Sequence, residues 1–264
     1  MRQAHALYTE SLQISRQLND KPCLIGILGK LGVLAILQGE DVKARALYEE
    51  SLALAREVGD VGGIANNLIT LAALALIQED PVLVRAYAQQ AMEISPGYRA
   101  MGNMYLAQAA LLEGDYTTAR TLVEEQLAAR RAHSPFRAAE VLAILGDASR
   151  LEGDYARALS EYRESLTLAR EIGYRPLVAE VFKSLAGLAT AQGYIERAGR
   201  LFGATEVLRE SMGMFPLYMR RQYEQDVARA RSLIDEEAFA VAWEAGRAMT
   251  WEQAVTYALE ESEA

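Results

Sequence analysis

An all-α fold, a right-handed superhelical solenoid of helical hairpins closed by a C-terminal helical cap, is what this 264-residue sequence predicts, on three observations. The turn Gln38-Gly39-Glu40-Asp41 returns as Gln78-Glu79-Asp80, Glu113-Gly114-Asp115, Glu152-Gly153-Asp154 and Gln192-Gly193-Tyr194, at spacings of 40, 35, 39 and 40 residues. A period of that size means stacked supersecondary units. After each turn a small or short residue (Ala44, Val84, Ala119, Ala158, Ala198) is followed four residues later by Tyr48, Ala88, Val123, Tyr162 or Phe202, a pair that shares one helix face. Before each turn a Leu is followed by a residue small enough for close helix contact: Leu31-Gly32, Leu71-Ala72, Leu106-Ala107, Leu145-Gly146 and Leu185-Ala186. Glycine inside a helix costs about 1 kcal/mol against alanine, so Gly32 and Gly146 require a packing reason.

This pattern resembles the tetratricopeptide repeat, with its Leu-Gly step in the first helix, Ala and an aromatic in the second, and a Gly-Asp-Tyr turn between them. The resemblance covers residues 1–211. Spacings near 40 exceed the family's usual period of about 34 and imply longer helices. The family's closing Pro is displaced to Pro96, Pro135 and Pro176, at the first turn of the next helix, where a missing N–H is harmless. Val84 and Ala88 match poorly.

In chain order, residues 1–20 align with a second helix, Ala4, Tyr8, Ser11 and Leu12 lying 40 residues before Ala44, Tyr48, Ser51 and Leu52. This partial repeat suggests a piece cut from a longer protein; a natural start whose helix borrows cover from a neighbouring copy is the alternative. Five hairpins follow, with first helices near 22–38, 61–78, 97–112, 136–151 and 176–191 and second helices near 41–58, 81–94, 115–131, 154–172 and 194–211. The repeats therefore span 1–211 and capping helices 212–264. Met212-Gly213-Met214-Phe215-Pro216 breaks the chain before segments near 217–233, 236–247 and 251–261. Asp235 and Thr250 read as N-caps, Thr250 with Gln253 as a capping box. Phe239, Trp243, Trp251 and Tyr257 are expected to lie over the last hairpin, and Gly199-x-x-x-Gly203 to admit the tail closely.

The tail has its own resemblance. Leu201-Phe202-Gly203-Ala204 with Glu206 and Leu208-Arg209, then Tyr223-Glu224, Phe239 to Trp243, Gly246-Arg247 and Glu252-Gln253-Ala254-Val255 look like the C-terminal end of large bacterial regulators. Those join a signal-transduction ATPase module, and often a DNA-binding or cyclase module, to a tetratricopeptide arm. The likeness implies a sensor arm in signal transduction and transcription regulation.

A net charge of −9 disfavours direct binding to nucleic-acid phosphate, which requires clustered Lys and Arg. The single Cys23 excludes an internal disulfide framework and, with no leader at Met1, points to the cytoplasm. Charged residues are expected to interrupt every apolar run before membrane-spanning length. No phosphate-binding loop is present, since Gly26-Ile-Leu-Gly29-Lys30 has the wrong spacing. His5 and His133 lack a second ligand at metal-binding spacing. The adjacent pairs Glu49-Glu50, Glu124-Glu125 and Glu236-Glu237 do not face each other across a cleft. The expectation is a non-catalytic binder without cofactor or metal.

First helices line the concave face of such a superhelix, and these faces bind. Projection from each Leu-small pair places Gly26, Gly29, Val33 and Ile36 there, then Asn66, Ile69, Ala73 and Leu76, then Met101, Met104, Gln108 and Leu111. Glu140, Ala143, Asp147 and Arg150 follow, and last Glu180, Lys183, Gly187 and Thr190. The groove thus runs from apolar to charged. Candidate ligand-binding residues are Asn66, Ile69, Met101, Asn103, Met104 and Gln108 in its first half and Asp147, Arg150 and Lys183 in its second. An adaptable Met-bearing surface of this kind suits a peptide, a protein segment or a small inducer, with Asn66, Asn103, Arg150 and Lys183 contacting backbone or carboxylate. The alternative is that the apolar half touches the next helix or a second copy, in a homodimer assembled through the uncapped N-terminal helix.

Overall fold

Why the turn recurs is visible in its geometry. Where the first helix ends, Gly39, Gly153 and Gly193 take positive φ, which a residue without Cβ adopts without penalty. In three of the five turns an Asp then opens the second helix: the carboxylates of Asp80, Asp115 and Asp154 accept the amide N–H of Leu83, Thr118 and Arg157. Glu79, in the glycine position of the second repeat, takes the same left-handed conformation at φ 55 and is strained there.

The computed structural model describes residues 2–212 and 217–260, so the Gly213–Pro216 break expected from sequence lies outside the described residues. Among them all regular structure is helical, an all-α solenoid of hairpins. The helices are α1 (Arg2–Gln17), α2 (Lys21–Gln38), α3 (Asp41–Val58), α4 (Val61–Ile77), α5 (Pro81–Ile94), a 3-10 turn at Pro96–Tyr98, and α6 (Arg99–Leu112). They continue as α7 (Tyr116–His133), α8 (Pro135–Glu152), α9 (Tyr155–Ile172), α10 (Arg175–Ala191), α11 (Ile195–Met212), α12 (Leu217–Arg231), α13 (Glu236–Arg247) and α14 (Trp251–Leu259). Contacts divide them into two compact units, unit 1 holding residues 2–113 and 217–218, unit 2 holding 114–212 and 219–260.

In unit 1, α2 pairs with α3 and α4 with α5, and Leu31, Leu71 and Leu106 are all buried. Val84 and Ala88, the poor matches, are fully buried too, because the hairpin needs bulk excluded there rather than one particular side chain. A Cβ on Gly32 would stand 2.5 Å from the ring of Tyr48, which is the packing reason for that glycine. Over its 18 residues α2 is long and apolar enough to cross a membrane, by length and composition alone, against the expectation that no run reaches such a length. Its apolarity has a local cause. Leu24, Ile27, Leu28, Leu31 and Leu34 are buried, α2 packing on α1 and α3 at once.

Unit 2 repeats the scheme. Tyr162 lies over Gly146 as Tyr48 lies over Gly32, and Leu145 and Leu185 are buried. Here α13 packs on α11 almost backbone to backbone: a Cβ on Gly203 would be 3.0 Å from the carbonyl carbon of Trp243, and one on Gly246 2.7 Å from that of Arg200. The Gly199-x-x-x-Gly203 pair therefore admits the tail. Phe239 is fully buried, and Trp243, Trp251 and Tyr257 pack against the same apolar cluster. The Thr250 capping box forms, and Asp235 accepts from the amides of Glu237 and Ala238.

Candidate functional site

The first-helix face is best taken unit by unit. In unit 1 it is formed by α2, α4 and α6. Gly26 and Val33 are exposed, Val33 by 47%, and a Cβ at Gly26 or Gly29 would meet nothing within 4 Å, so the α2 backbone lies open. Asn66 is exposed on α4, its carbonyl accepting the Thr70 hydroxyl. Met101, Asn103, Met104 and Gln108 are half-buried on α6. Ile69, expected on this face, is only 5% exposed: it belongs to the apolar cluster in which Ile36 and Met101 also pack, so neighbouring helices close over it.

The neighbouring amide is the structural one. Asn67 is buried and donates to Ser51 Oγ at 3.0 Å, while Ser51 donates to the Ile25 carbonyl at 3.2 Å, tying α2, α3 and α4 together. Ser165 donates to the Ala139 carbonyl at the same register in unit 2. The signal was available in the sequence as Ser11, Ser51 and Ser165, each three residues after the Tyr of its repeat.

In unit 2 the face is formed by α8 and α10 and carries a charge network. Asp147 accepts from the Tyr162 hydroxyl at 2.7 Å and from Ser184 at 3.3 Å, with Arg150 at 3.7 Å. Val33 stands where Asp147 does in the other repeat, and there the Tyr48 hydroxyl turns to the Gly29 carbonyl instead. Burial raises the pKa of both tyrosines, Tyr48 to about 12. Lys183, 8% exposed, reaches Glu180 at 3.3 Å. Burial would lower the Lys183 pKa, but Glu180, Asp147 and Asp226 outweigh it and hold the ammonium charged. The Glu180 carboxyl is pushed up by burial, with Lys183 opposing. The Arg150 guanidinium lies 4.0 Å from where a Gly187 Cβ would be, and its buried Nε has no hydrogen-bond partner.

Projection from the repeat register thus puts Asp147, Arg150 and Lys183 in one cluster on unit 2, and the apolar and amide candidates on unit 1. Sequence reasoning missed Asp226 of α12, which lies within electrostatic reach of Lys183, Arg150 and Asp147. It also missed Arg120, 12% exposed, which bonds Glu161, Glu152, Glu124 and Ser149 and joins α7 to α8 and α9. An open cleft of about 1070 Å³ beside Tyr194, Arg197, Arg200 and Tyr257 is apart from these residues. Arg197 there donates to the carbonyls of Tyr257, Ala258 and Glu260, closing the end of α14. Among the described residues no group of three or more His, Cys, Asp or Glu could hold a metal ion.

Comparison with known proteins agrees with this architecture. A tetratricopeptide repeat family model matches residues 24–96, which span α2 to α5. The crystal structure of BtubC (BKLC) from P. vanneervenii is similar at a TM-score of 0.58 and 20% sequence identity, over 80% of this chain and 91% of that one. At that identity the likeness is one of fold. No curated protein matches the chain.

Proposed function

We propose that this chain is a non-catalytic binding scaffold that receives a peptide segment of a partner protein on the first-helix face of unit 1. The observation that carries the reading is the α2 backbone left open at Gly26 and Gly29 beside exposed Val33 and Asn66. With the α2 main chain already bonded within its own helix, the missing side chains at Gly26 and Gly29 give a peptide helix room to approach closely, with Val33 for shallow apolar contact and the Asn66 amide as a polar partner. Tetratricopeptide arrays support a protein-binding role in general. The finer reading, a cytoplasmic sensor arm of a larger bacterial ATPase-type transcriptional regulator answering to a protein segment or inducer, rests on the tail resemblance around Leu201-Phe202-Gly203-Ala204. Control of that kind requires the ligand to bind two states of the parent unequally.

The test is site-specific photocrosslinking in cells from position 33 or 66, with exposed Val42 and Val82 on the second helices as controls. Defined adducts from 33 and 66, absent from 42 and 82 and reduced by Asn103→Ala, are expected. Adducts no different from the controls would refute the reading.

Self-association is a second reading, favoured by one observation. Leu7 and Ile14 of α1, with Leu18 in the turn just after it, are exposed by 56%, 49% and 72%, an apolar surface able to join two copies. Tyr8, by contrast, is half-buried against α2 under Lys30. Sedimentation equilibrium of wild type and Leu18→Glu decides: a dimer lost in the variant supports assembly, and a monomer at every concentration rejects it.

A further inference from the structure

Helix α1 carries the contact residues of a second helix on a flank that no first helix covers among the described residues. Ala4, Tyr8, Ser11 and Leu12 stand 40 residues before Ala44, Tyr48, Ser51 and Leu52 of α3, and α1 packs on α2 as α3 packs on α4. Helix α3 has a second neighbour in α2, its own first helix, and its four residues are buried, none more than 5% exposed. On α1 the same four are only half-buried. Leu47 packs on the α2 cluster of Ile27, Leu31 and Leu34, whereas its equivalent Leu7 is 56% exposed.

What fits such a flank is specified twice inside the chain. A Cβ on Gly32 or on Gly146 would stand 2.5 Å from a ring carbon of Tyr48 or of Tyr162, so each tyrosine is seated on a glycine, and in both first helices that glycine follows a leucine. Ser51 donates to the Ile25 carbonyl at 3.2 Å and Ser165 to the Ala139 carbonyl at 2.7 Å, each acceptor lying seven residues before its glycine. The register residues Tyr8 and Ser11 have no such hydroxyl acceptor among the described residues.

A second copy of the chain does not offer this seat. Its α1 contains no glycine, so two α1 helices laid together would set the Tyr8 ring against side chains. Its Leu-Gly steps, Leu31-Gly32 and Leu145-Gly146, are already closed over by its own Tyr48 and Tyr162. The flank residues Ala4, Leu7, Tyr8, Ser11, Leu12 and Ile14 are all uncharged, which calls for a helix whose facing side is apolar.

We propose that this flank of α1 is a docking surface for a partner protein's helix with the chemistry of a first helix. That helix carries a Leu-Gly pair, its glycine seated under the Tyr8 ring, and a main-chain carbonyl seven residues earlier accepts the Ser11 hydroxyl. The surface is separate from the open α2 backbone at Gly26 and Gly29 and stands independently of the peptide reading there. It gives α1 a partner other than the second copy considered for self-association.

The probe is a fluorescent peptide with the sequence of residues 135–152, which holds the Leu145-Gly146 step and Ala139, titrated against the full chain beside its Gly146→Leu version. Leucine favours a helix more than glycine does, so weaker binding of that version reports the seat and not a loss of helix. The native-sequence peptide is expected to bind at least about fivefold more tightly than the Leu version, the lower end of what overpacking costs. Leu7→Glu in the full chain is expected to remove binding, and Val42→Glu, at an exposed position of α3, to leave it unchanged. Equal binding of the two peptides overturns the glycine seat, and binding that survives Leu7→Glu overturns the place. No binding of the native-sequence peptide overturns the proposal outright. Should the Leu7→Glu chain fail to give a native circular-dichroism spectrum, Ile14→Glu, at a position 49% exposed, is read by the same criteria. Sedimentation equilibrium separates the other occupant: a wild-type dimer that Leu7→Glu dissociates gives the flank to a second copy and overturns the proposal, whereas a monomer that binds the peptide upholds it.

Discussion

Gly146→Ala tests the packing argument where it is sharpest. In an unpacked helix the change is favourable by about 1 kcal/mol, because alanine gives up less backbone freedom. At this position the new methyl would sit 2.5 Å from Tyr162 Cδ1, so something must move. Tyr162 has no solvent to move into, being fully buried, and its hydroxyl is anchored to Asp147 at 2.7 Å. Overpacking of this kind costs about 1–3 kcal/mol. Lengthening a hydrogen bond to a charged acceptor adds up to about 1.5 kcal/mol. Set against the propensity gain, the net is a loss of about 2 kcal/mol, the middle of a range from near zero to about 3.5 kcal/mol. Gly29→Ala is the internal control: nothing lies within 4 Å of its Cβ, the residue is helical, and a gain of up to about 1 kcal/mol is expected. The assay is urea denaturation followed at 222 nm, reading the midpoint at constant slope. Gly146→Ala with an unchanged or higher midpoint, or Gly29→Ala with a lower one, would refute the reasoning. Combining Gly146→Ala with Tyr162→Leu should cost less than the sum, because the two residues share one contact.

Other expectations follow from single contacts. Ser51→Ala leaves the buried Asn67 amide without its acceptor and should lower stability by about 1–3 kcal/mol, with Asn66→Ala near neutral in the same melt. Glu79→Gly relieves the positive φ and should raise the thermal midpoint, by up to about 1 kcal/mol of stability; a lower midpoint contradicts the strain. Arg120→Ala strands Glu161 and Glu152 and should cost about 1–3 kcal/mol, less at high salt if part of the network is screened. The Glu180 carboxyl, raised by burial, binds its proton more readily in the fold than in the unfolded chain. Its contribution is fully present below the ordinary glutamate value and is lost as pH rises through the higher folded value. Glu180→Gln should therefore flatten the decline of stability over that window, with Lys183 and Asp147 still in place; an unchanged slope rejects the assignment.

How much could be read from sequence differs by residue, for physical reasons. Helix limits came within about two residues for most elements because caps are local: Asp80, Asp115 and Asp154 declare a start three residues ahead by one hydrogen bond. The site was only half legible. Register placed Asp147, Arg150 and Lys183 on one face, since residues at equivalent repeat positions stack. Register could not say that Ile69 would be closed over while Asn66 stays exposed, nor that Asn67 would turn inward to Ser51, because those outcomes depend on how neighbouring helices rotate against each other.

The sequence by itself determined that this chain is an array of helical pairs, since a period near 40 with Leu-small and small-aromatic steps admits few other burial schemes. Only the tertiary structure decided which part of the array stays open. Asp226 is 43 residues from Lys183 and 76 from Arg150 along the chain, and no local periodicity links them. The side-chain packing of Tyr223 on Phe202 is what brings that half-buried carboxylate within electrostatic reach of both.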